Sequence, residues 1–224
     1  MDEKIKPDLK SFILYIFIIL LAVIGVIFLF SKDNTAKKDI SSNISTDSAQ
    51  IKYKTYTSEP EMKIDEKKKY SANIQTNKGA IEVELFVKEN PKTVNNFIFL
   101  ARDGFYNSSV FHRIIKGFMM QGGDPKGDGT GGPGYKFADE KITRDYKRGI
   151  VAMANSGPNT NGSQFFIMHK DNNLPKSYVI FGQVTKGIET VDKIAETPTV
   201  DNGLGELSKP AEKVTLDKVE ISEN

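Results

Sequence analysis

Cysteine is absent from this chain, histidine occurs only twice, and the charges almost cancel, leaving +2 over 224 residues. Without cysteine there is no disulfide, no thiolate nucleophile, no thiolate zinc site and no lipid-modified N-terminal thiol. That absence fits an oxidising or extracytoplasmic setting without demonstrating one. His112 and His169 are too few for a metal site. The small net charge gives no electrostatic case for a nucleic-acid partner. What is present is ordinary for a soluble core with a solvated surface, 38% apolar and 27% charged. The length suits one domain with additions.

One long apolar run stands out. Residues 12–30 read FILYIFIILLAVIGVIFLF, without a charge. As a helix they span roughly 28 Å, close to the ~30 Å hydrocarbon core of a bilayer. A signal peptide's apolar region is shorter, about 7–15 residues, and no A-x-A pattern follows at Ser31-Lys32-Asp33. The run therefore reads as an uncleaved, single-pass membrane anchor after a short tail, residues 1–11. Lys4, Lys6 and Lys10 precede it and Lys32, Lys37 and Lys38 follow it, so flanking charge sets no orientation. A short tail before a long C-terminal part suits a signal anchor, with the C-terminal part outside the cytoplasm. Residues 31–69 are rich in Ser, Asn, Thr, Asp and Lys and read as a flexible polar linker. The run Lys67-Lys68-Lys69 reads as a solvated part of that linker.

Residues 70–222 read as the folded domain. Asn77-Lys78-Gly79 is a turn signal between two strand patterns. In the second, Ile81, Val83 and Leu85 alternate with Glu82 and Glu84, the period of a half-buried strand. Asn90-Pro91 opens a helix, with Asn as N-cap and Pro in the first turn. Val94, Phe97, Ile98 and Ala101 fall on one face, and Gly104 can close the helix. Further strands are expected over 110–115, 118–121, 150–154, 164–168, 179–184 and 213–221, with a short helix over 189–195. Many short strands with two helices suggest a barrel or sandwich.

Two segments carry most of the chemistry: FHRIIKGFMMQGGD, from Phe111 to Asp124, and MANSGPNTNGSQFFI, from Met153 to Ile167. In the first, Arg113 sits among apolar residues, a cation beside a greasy surface. Together with PKTVNNF at Pro91 and VIFGQV at Val179, these segments resemble the cyclophilin family of peptidyl-prolyl cis-trans isomerases. The resemblance runs from Tyr70 to Ile221 and leaves out the anchor and linker. It implies a mainly β fold, a closed eight-stranded antiparallel β-barrel with two capping helices. It also implies an enzyme that needs no cofactor and no metal, a monomeric catalytic domain acting on proline-containing polypeptide clients.

Rotation about an Xaa-Pro bond is slow because amide resonance must be broken, and no covalent step is required. A donor that stays charged near the prolyl nitrogen favours the twisted state, and arginine cannot titrate away. By resemblance Arg113 takes this role, with Gln121 beside it as the second catalytic residue. A charge-assisted bond is worth roughly 1.5–3 kcal/mol, about 10- to 100-fold in rate if made only in the transition state. Phe118, Met119, Phe166 and Leu174 match the family's proline pocket, although periodicity alone reads them as core. Ala154, Asn155 and Gln164 match positions that hold the peptide backbone. Tyr178 stands where the family often has His. Asn173 stands where it often has Trp, which implies weaker binding of cyclosporin.

Other patterns carry less. Residues 127–132, GDGTGG, fit G-x-G-x-x-G formally but lack the strand and helix a dinucleotide site needs. Asp124 and Asp128 suggest a calcium loop, yet Lys126 and Tyr135 occupy ligand positions. Ser163 lies in no nucleophile elbow, so a hydrolase is remote. Asn43, Asn107 and Asn161 open glycosylation sequons of low specificity. The competing reading is a module that binds proline motifs, with turnover incidental.

Overall fold

Alternation along the chain sets the first hairpin. Tyr70–Thr76 (β1) and Gly79–Leu85 (β2) pair antiparallel, with Tyr70 opposite Leu85 and Thr76 opposite Gly79. Ala72 and Ile74 of β1 and Ile81, Val83 and Leu85 of β2 are buried, while Glu82 and Glu84 turn outward. The computed structural model describes residues 53–224. The anchor expected over 12–30 and the first part of the expected linker lie outside the described residues. Among the described residues no helix is long and apolar enough to cross a membrane.

The helix Pro91–Arg102 (α1) follows, then Ser109–Val110 (β3), Arg113–Ile115 (β4), Met119–Gly122 (β5), Ile150–Met153 (β6), Phe165–Met168 (β7) and Ile180–Lys186 (β8). The helix Ile188–Ala195 (α2), the short strands Thr199–Asp201 (β9) and Leu207–Pro210 (β10), and the long strand Thr215–Glu223 (β11) complete the chain. Nine strands form one antiparallel sheet in the order β3-β11-β1-β2-β8-β6-β7-β5-β4, and β9 and β10 form a separate ribbon. The two edge strands, β3 and β4, are consecutive in the chain, and Val110 bridges to Asp124, so the sheet curls back on itself. The strand expected over 110–115 changes partner midway. Phe111 N–H donates to the Val214 carbonyl at 3.0 Å, and His112 N–H donates to the Gln121 carbonyl at 3.1 Å. This break is why nine strands stand where eight were expected. The β9–β10 ribbon was not expected at all.

Helix α1 begins at the expected place for a different reason. Asn90 occupies the N-cap but makes no side-chain cap bond. The free N–H groups of the first turn are taken by Glu140: Lys92 N–H reaches Oε1 at 3.0 Å, and Thr93 N–H and Oγ1 reach Oε2 at 2.7 and 2.6 Å. At the other end, Gly104 has φ +69°. Phe105 N–H bonds the Leu100 carbonyl and Gly104 N–H the Ala101 carbonyl, the paired closure that a left-handed glycine permits. Val94, Phe97, Ile98 and Ala101 are buried as expected. Phe97 packs on Tyr106, Phe165 and Phe181 with ring centroids 5.1–5.6 Å apart, the aromatic centre of the main core.

The packed body starts earlier than Tyr70. Residues 53–69 have no helix or strand, yet they lie against α1. Asn95 bonds the Lys63 N–H at 2.9 Å and the Glu61 carbonyl at 3.0 Å. Tyr56 packs edge-on to Phe99 at 5.1 Å, and Ile64 is 8% exposed within the main core. The second half of the segment read as a flexible linker is thus tied to the domain by apolar burial and by satisfaction of α1's buried amides.

Candidate active site

The period of two sorts the residues of β4 to β7 onto opposite faces. Ile114, Met120, Val151, Met153, Phe165 and Ile167 join the main core. Met119, Ile150, Ala152, Phe166 and Met168 form a second, smaller apolar cluster. Register makes this possible: Met119 lies opposite Met168, Gln121 opposite Phe166, and Ala152 opposite Phe166 on the far side. Phe118, Ala154, Leu174 and Tyr178 pack against that second cluster, partly exposed. The structure therefore brings the sequence-predicted pocket residues Phe118, Met119, Phe166 and Leu174 into one apolar group, joined by Tyr178. Tyr178 meets Phe166 edge-on, with ring centroids 5.5 Å apart at 85°.

Arg113 stands at the border of this group. It pairs with Gln121 across β4 and β5, and its neighbour Ile114 faces the core, so Arg113 shares the second cluster's face. Its guanidinium is held on one edge. Nε donates to Glu206 Oε2 at 2.7 Å and Nη2 donates to Oε1 at 2.6 Å. Nη1 lies 4.0 Å from the Met119 sulfur. Glu206 is pulled down to a pKa of about 2, first by these bonds and then by the Ser208 hydroxyl. Both side chains remain about one-third exposed, so the pair sits at the rim of the site.

Gln121 does not reach Arg113 with its amide. Its Nε2 donates to Gln164 Oε1 at 2.9 Å, and Gln164 Nε2 donates to the Gly129 and Gly131 carbonyls at 3.0 and 2.8 Å. The two glutamines thus carry the glycine loop on a chain of amides. Ala154 donates its N–H to the Gln164 carbonyl at 2.9 Å. Asn155 is occupied internally, Nδ2 on the Ser177 carbonyl at 2.8 Å and Oδ1 on Gly157 N–H at 3.2 Å. A groove of about 800 Å³ runs beside these residues, lined by Gln121, Gln164, Ala154 and Asn155 on one side and Lys126 and the 129–134 loop on the other.

The rejected patterns find structural uses. Asp124 is fully buried, and its carboxylate accepts N–H groups of Lys126, Asp128 and Gly129 at 2.8, 3.1 and 2.6 Å, shaping the glycine loop as a groove wall. Gly123, just after β5, sits at φ +79°, where an added Cβ would lie 2.5 Å from the Ser163 carbonyl, so only glycine lets the chain pass this close. Asn161 is fully buried and bonded to Asp139 at 2.7 Å.

Three residues that hold these side chains or their neighbours were not expected from the sequence. The Tyr146 hydroxyl donates to the Tyr178 carbonyl at 2.9 Å and accepts from Tyr178 N–H at 3.0 Å, which fixes Tyr178 over Phe166. Tyr146 lies in RDYKRG, where charged neighbours give no apolar period. His169 clamps the turn before β5: its Nδ1 accepts Gly117 N–H at 2.9 Å, and its Nε2 faces Asp192 at 3.2 Å. Glu206 follows Asn202-Gly203, a hairpin signal that would have placed it on a turn but not beside Arg113.

Residues 71–221 match the family model "Cyclophilin type peptidyl-prolyl cis-trans isomerase/CLD". The chain is 46% identical over 160 residues to peptidyl-prolyl cis-trans isomerase CYP18-1 of Arabidopsis thaliana, covering 69% of this chain and 97% of that protein. It is 45% identical over 166 residues to "Probable peptidyl-prolyl cis-trans isomerase B" of Mycobacterium tuberculosis, covering 66% of this chain and 53% of that one. The chain thus spans about half the length of the mycobacterial relatives it matches. A crystal structure of a cyclophilin type peptidyl-prolyl cis-trans isomerase of Cryptosporidium parvum is similar in fold, at TM-score 0.63 and 39% identity, over 70% of this chain and 99% of that one.

Proposed function

The chain belongs to the cyclophilin-type peptidyl-prolyl cis-trans isomerase family, and on that premise we infer that it accelerates rotation about Xaa-Pro bonds in polypeptide clients. The observation that carries this reading is the placement of Arg113 at the edge of the Phe118, Met119, Phe166, Leu174 and Tyr178 cluster. The prolyl ring enters the apolar group, where aromatics and methionine adapt to its shape. The adjoining peptide lies along the groove bordered by Gln121, Ala154, Asn155 and Gln164. Arg113 then donates to the prolyl nitrogen as its lone pair leaves amide resonance, and no bond to the enzyme forms or breaks. A Cryptosporidium parvum relative has been crystallised in the presence of the dipeptide Ala-Pro, ligand chemistry that suits this groove.

Finer features belong to the same proposal. Counting β3 and β4 as one interrupted strand gives eight around the sheet, which supports a closed barrel capped by α1 and α2. The uncharged run over 12–30 supports a single-pass anchor, and the domain then works beside a membrane, outside the cytoplasm, on clients folding there. The test of activity is exchange NMR on an Ala-Pro peptide with catalytic amounts of the full chain. Faster cis–trans exchange is expected, and exchange at the uncatalysed rate contradicts the reading. Protease accessibility of the domain in intact cells tests its side of the membrane.

A further inference from the structure

We propose that Glu206 is a positioning residue for Arg113, setting which edge of the guanidinium faces the bound peptide. This rests on the isomerase reading above. An arginine on a strand edge has rotamers that sweep its donors through a wide arc, and ordering them costs side-chain entropy. Glu206 removes most of that freedom before substrate arrives. Its two oxygens bind Nε and Nη2, the fork-on-fork geometry that fixes the guanidinium plane as well as its place. The edge left free is the Nη1 side, beside Met119 and therefore beside the apolar cluster.

The carboxylate is itself well placed. β9 and β10 pair antiparallel, Leu207 opposite Asp201 and Pro210 opposite Thr199, and β10 lies against β4. The turn between them is braced from within. Asp201 Oδ1 accepts Gly203 N–H at 2.6 Å, and Asn202 Oδ1 accepts Leu204 and Glu206 N–H at 2.8 and 3.3 Å. Asn202 N–H returns a bond to the Glu206 carbonyl at 2.9 Å. Glu206 is thus fixed through both its main-chain groups. Rim ion pairs with this exposure contribute little to folding, so stability does not account for the pair. Pre-ordering of the Arg113 guanidinium is what a braced hairpin carrying a carboxylate accomplishes.

The test uses full-length chains carrying Glu206→Gln, Glu206→Asp, Arg113→Ala, and Arg113→Ala with Glu206→Gln, assayed by exchange kinetics on one Ala-Pro peptide. Glu206→Gln is expected to lower kcat/KM about 5- to 20-fold, the loss lying in kcat because the misplaced bond is one made in the transition state. Glu206→Asp retains the charge and is expected to retain more activity than Glu206→Gln. In the Arg113→Ala background, Glu206→Gln is expected to change nothing further, because it acts only through that arginine. Wild-type or higher activity in Glu206→Gln overturns the proposal, as does a loss that multiplies with that of Arg113→Ala. If the wild-type chain itself fails to catalyse exchange, the isomerase reading falls and takes this proposal with it. An active wild type with an indifferent Glu206→Gln removes the proposal alone.

Discussion

At the scale of single residues, the chemistry depends less on which side chains are present than on which of their atoms are left free. Arg113 presents Nη1 because Glu206 holds Nε and Nη2; Asn155 offers little of its amide because Ser177 and Gly157 use it. His169 shows the same logic in a form that pH can read. Its Nδ1 accepts Gly117 N–H, so the ring is neutral with its proton on Nε2 toward Asp192. Burial pushes its pKa below the usual value of 6.5, and the neighbouring Asp192 only partly opposes this. A histidine held neutral supports the fold above its unfolded pKa. That support is lost as pH falls below about 6.5, where the unfolded chain takes up the proton first. The midpoint of thermal unfolding is therefore expected to drop between pH 7.5 and 5.5, and to drop less in His169→Gln; equal slopes for the two proteins contradict this. Arg113, Phe118, Met119 and Phe166 could be proposed from the sequence because they lie within two long segments that resemble the family, and the structure brings them together. The restraints on them could not be, since Tyr146, His169 and Glu206 act across 32, 52 and 93 residues of chain.

At the scale of elements, local rules located the helices and longer strands, and tertiary partners decided how they end. Alternation identified β1 and β2 outright. Residues 110–115 read as one strand because sequence period carries no information about a change of partner, and that change makes β3 and β4. The β9–β10 ribbon is short and largely exposed, with Leu204 in its turn at 91% exposure, so it shows no buried apolar face for a pattern to reveal. Helix α1 is the clearest case. Asn90 is at the N-cap, but the capping oxygens come from Glu140. Glu140→Ala is accordingly expected to destabilise the fold by about 1–2 kcal/mol, while Asn90→Ser has little effect through capping. Urea titration checks this through a lower midpoint at unchanged slope. A Glu140→Ala midpoint equal to wild type contradicts the assignment.

At the scale of the whole molecule, the sequence places the domain's edge at Tyr70, and the structure moves it back. A polar composition over residues 31–69 hides the few apolar anchors, Tyr56 and Ile64, that pack onto α1. Burying Ile64 alone contributes up to about 1.5–3 kcal/mol. A fragment of residues 70–224 is therefore expected to melt clearly below one of residues 53–224, and equal melting temperatures contradict that role for the segment. In the proposed mechanism Arg113, at the edge of the apolar cluster, lowers the barrier to rotation of a prolyl bond bound there. The most direct test is the cis–trans exchange rate of an Ala-Pro peptide measured by NMR with the wild-type chain and with Arg113→Ala, at matched concentration and with folding verified. A fall of at least about tenfold in catalysed exchange is expected. Exchange as fast with Arg113→Ala as with the wild type would contradict it.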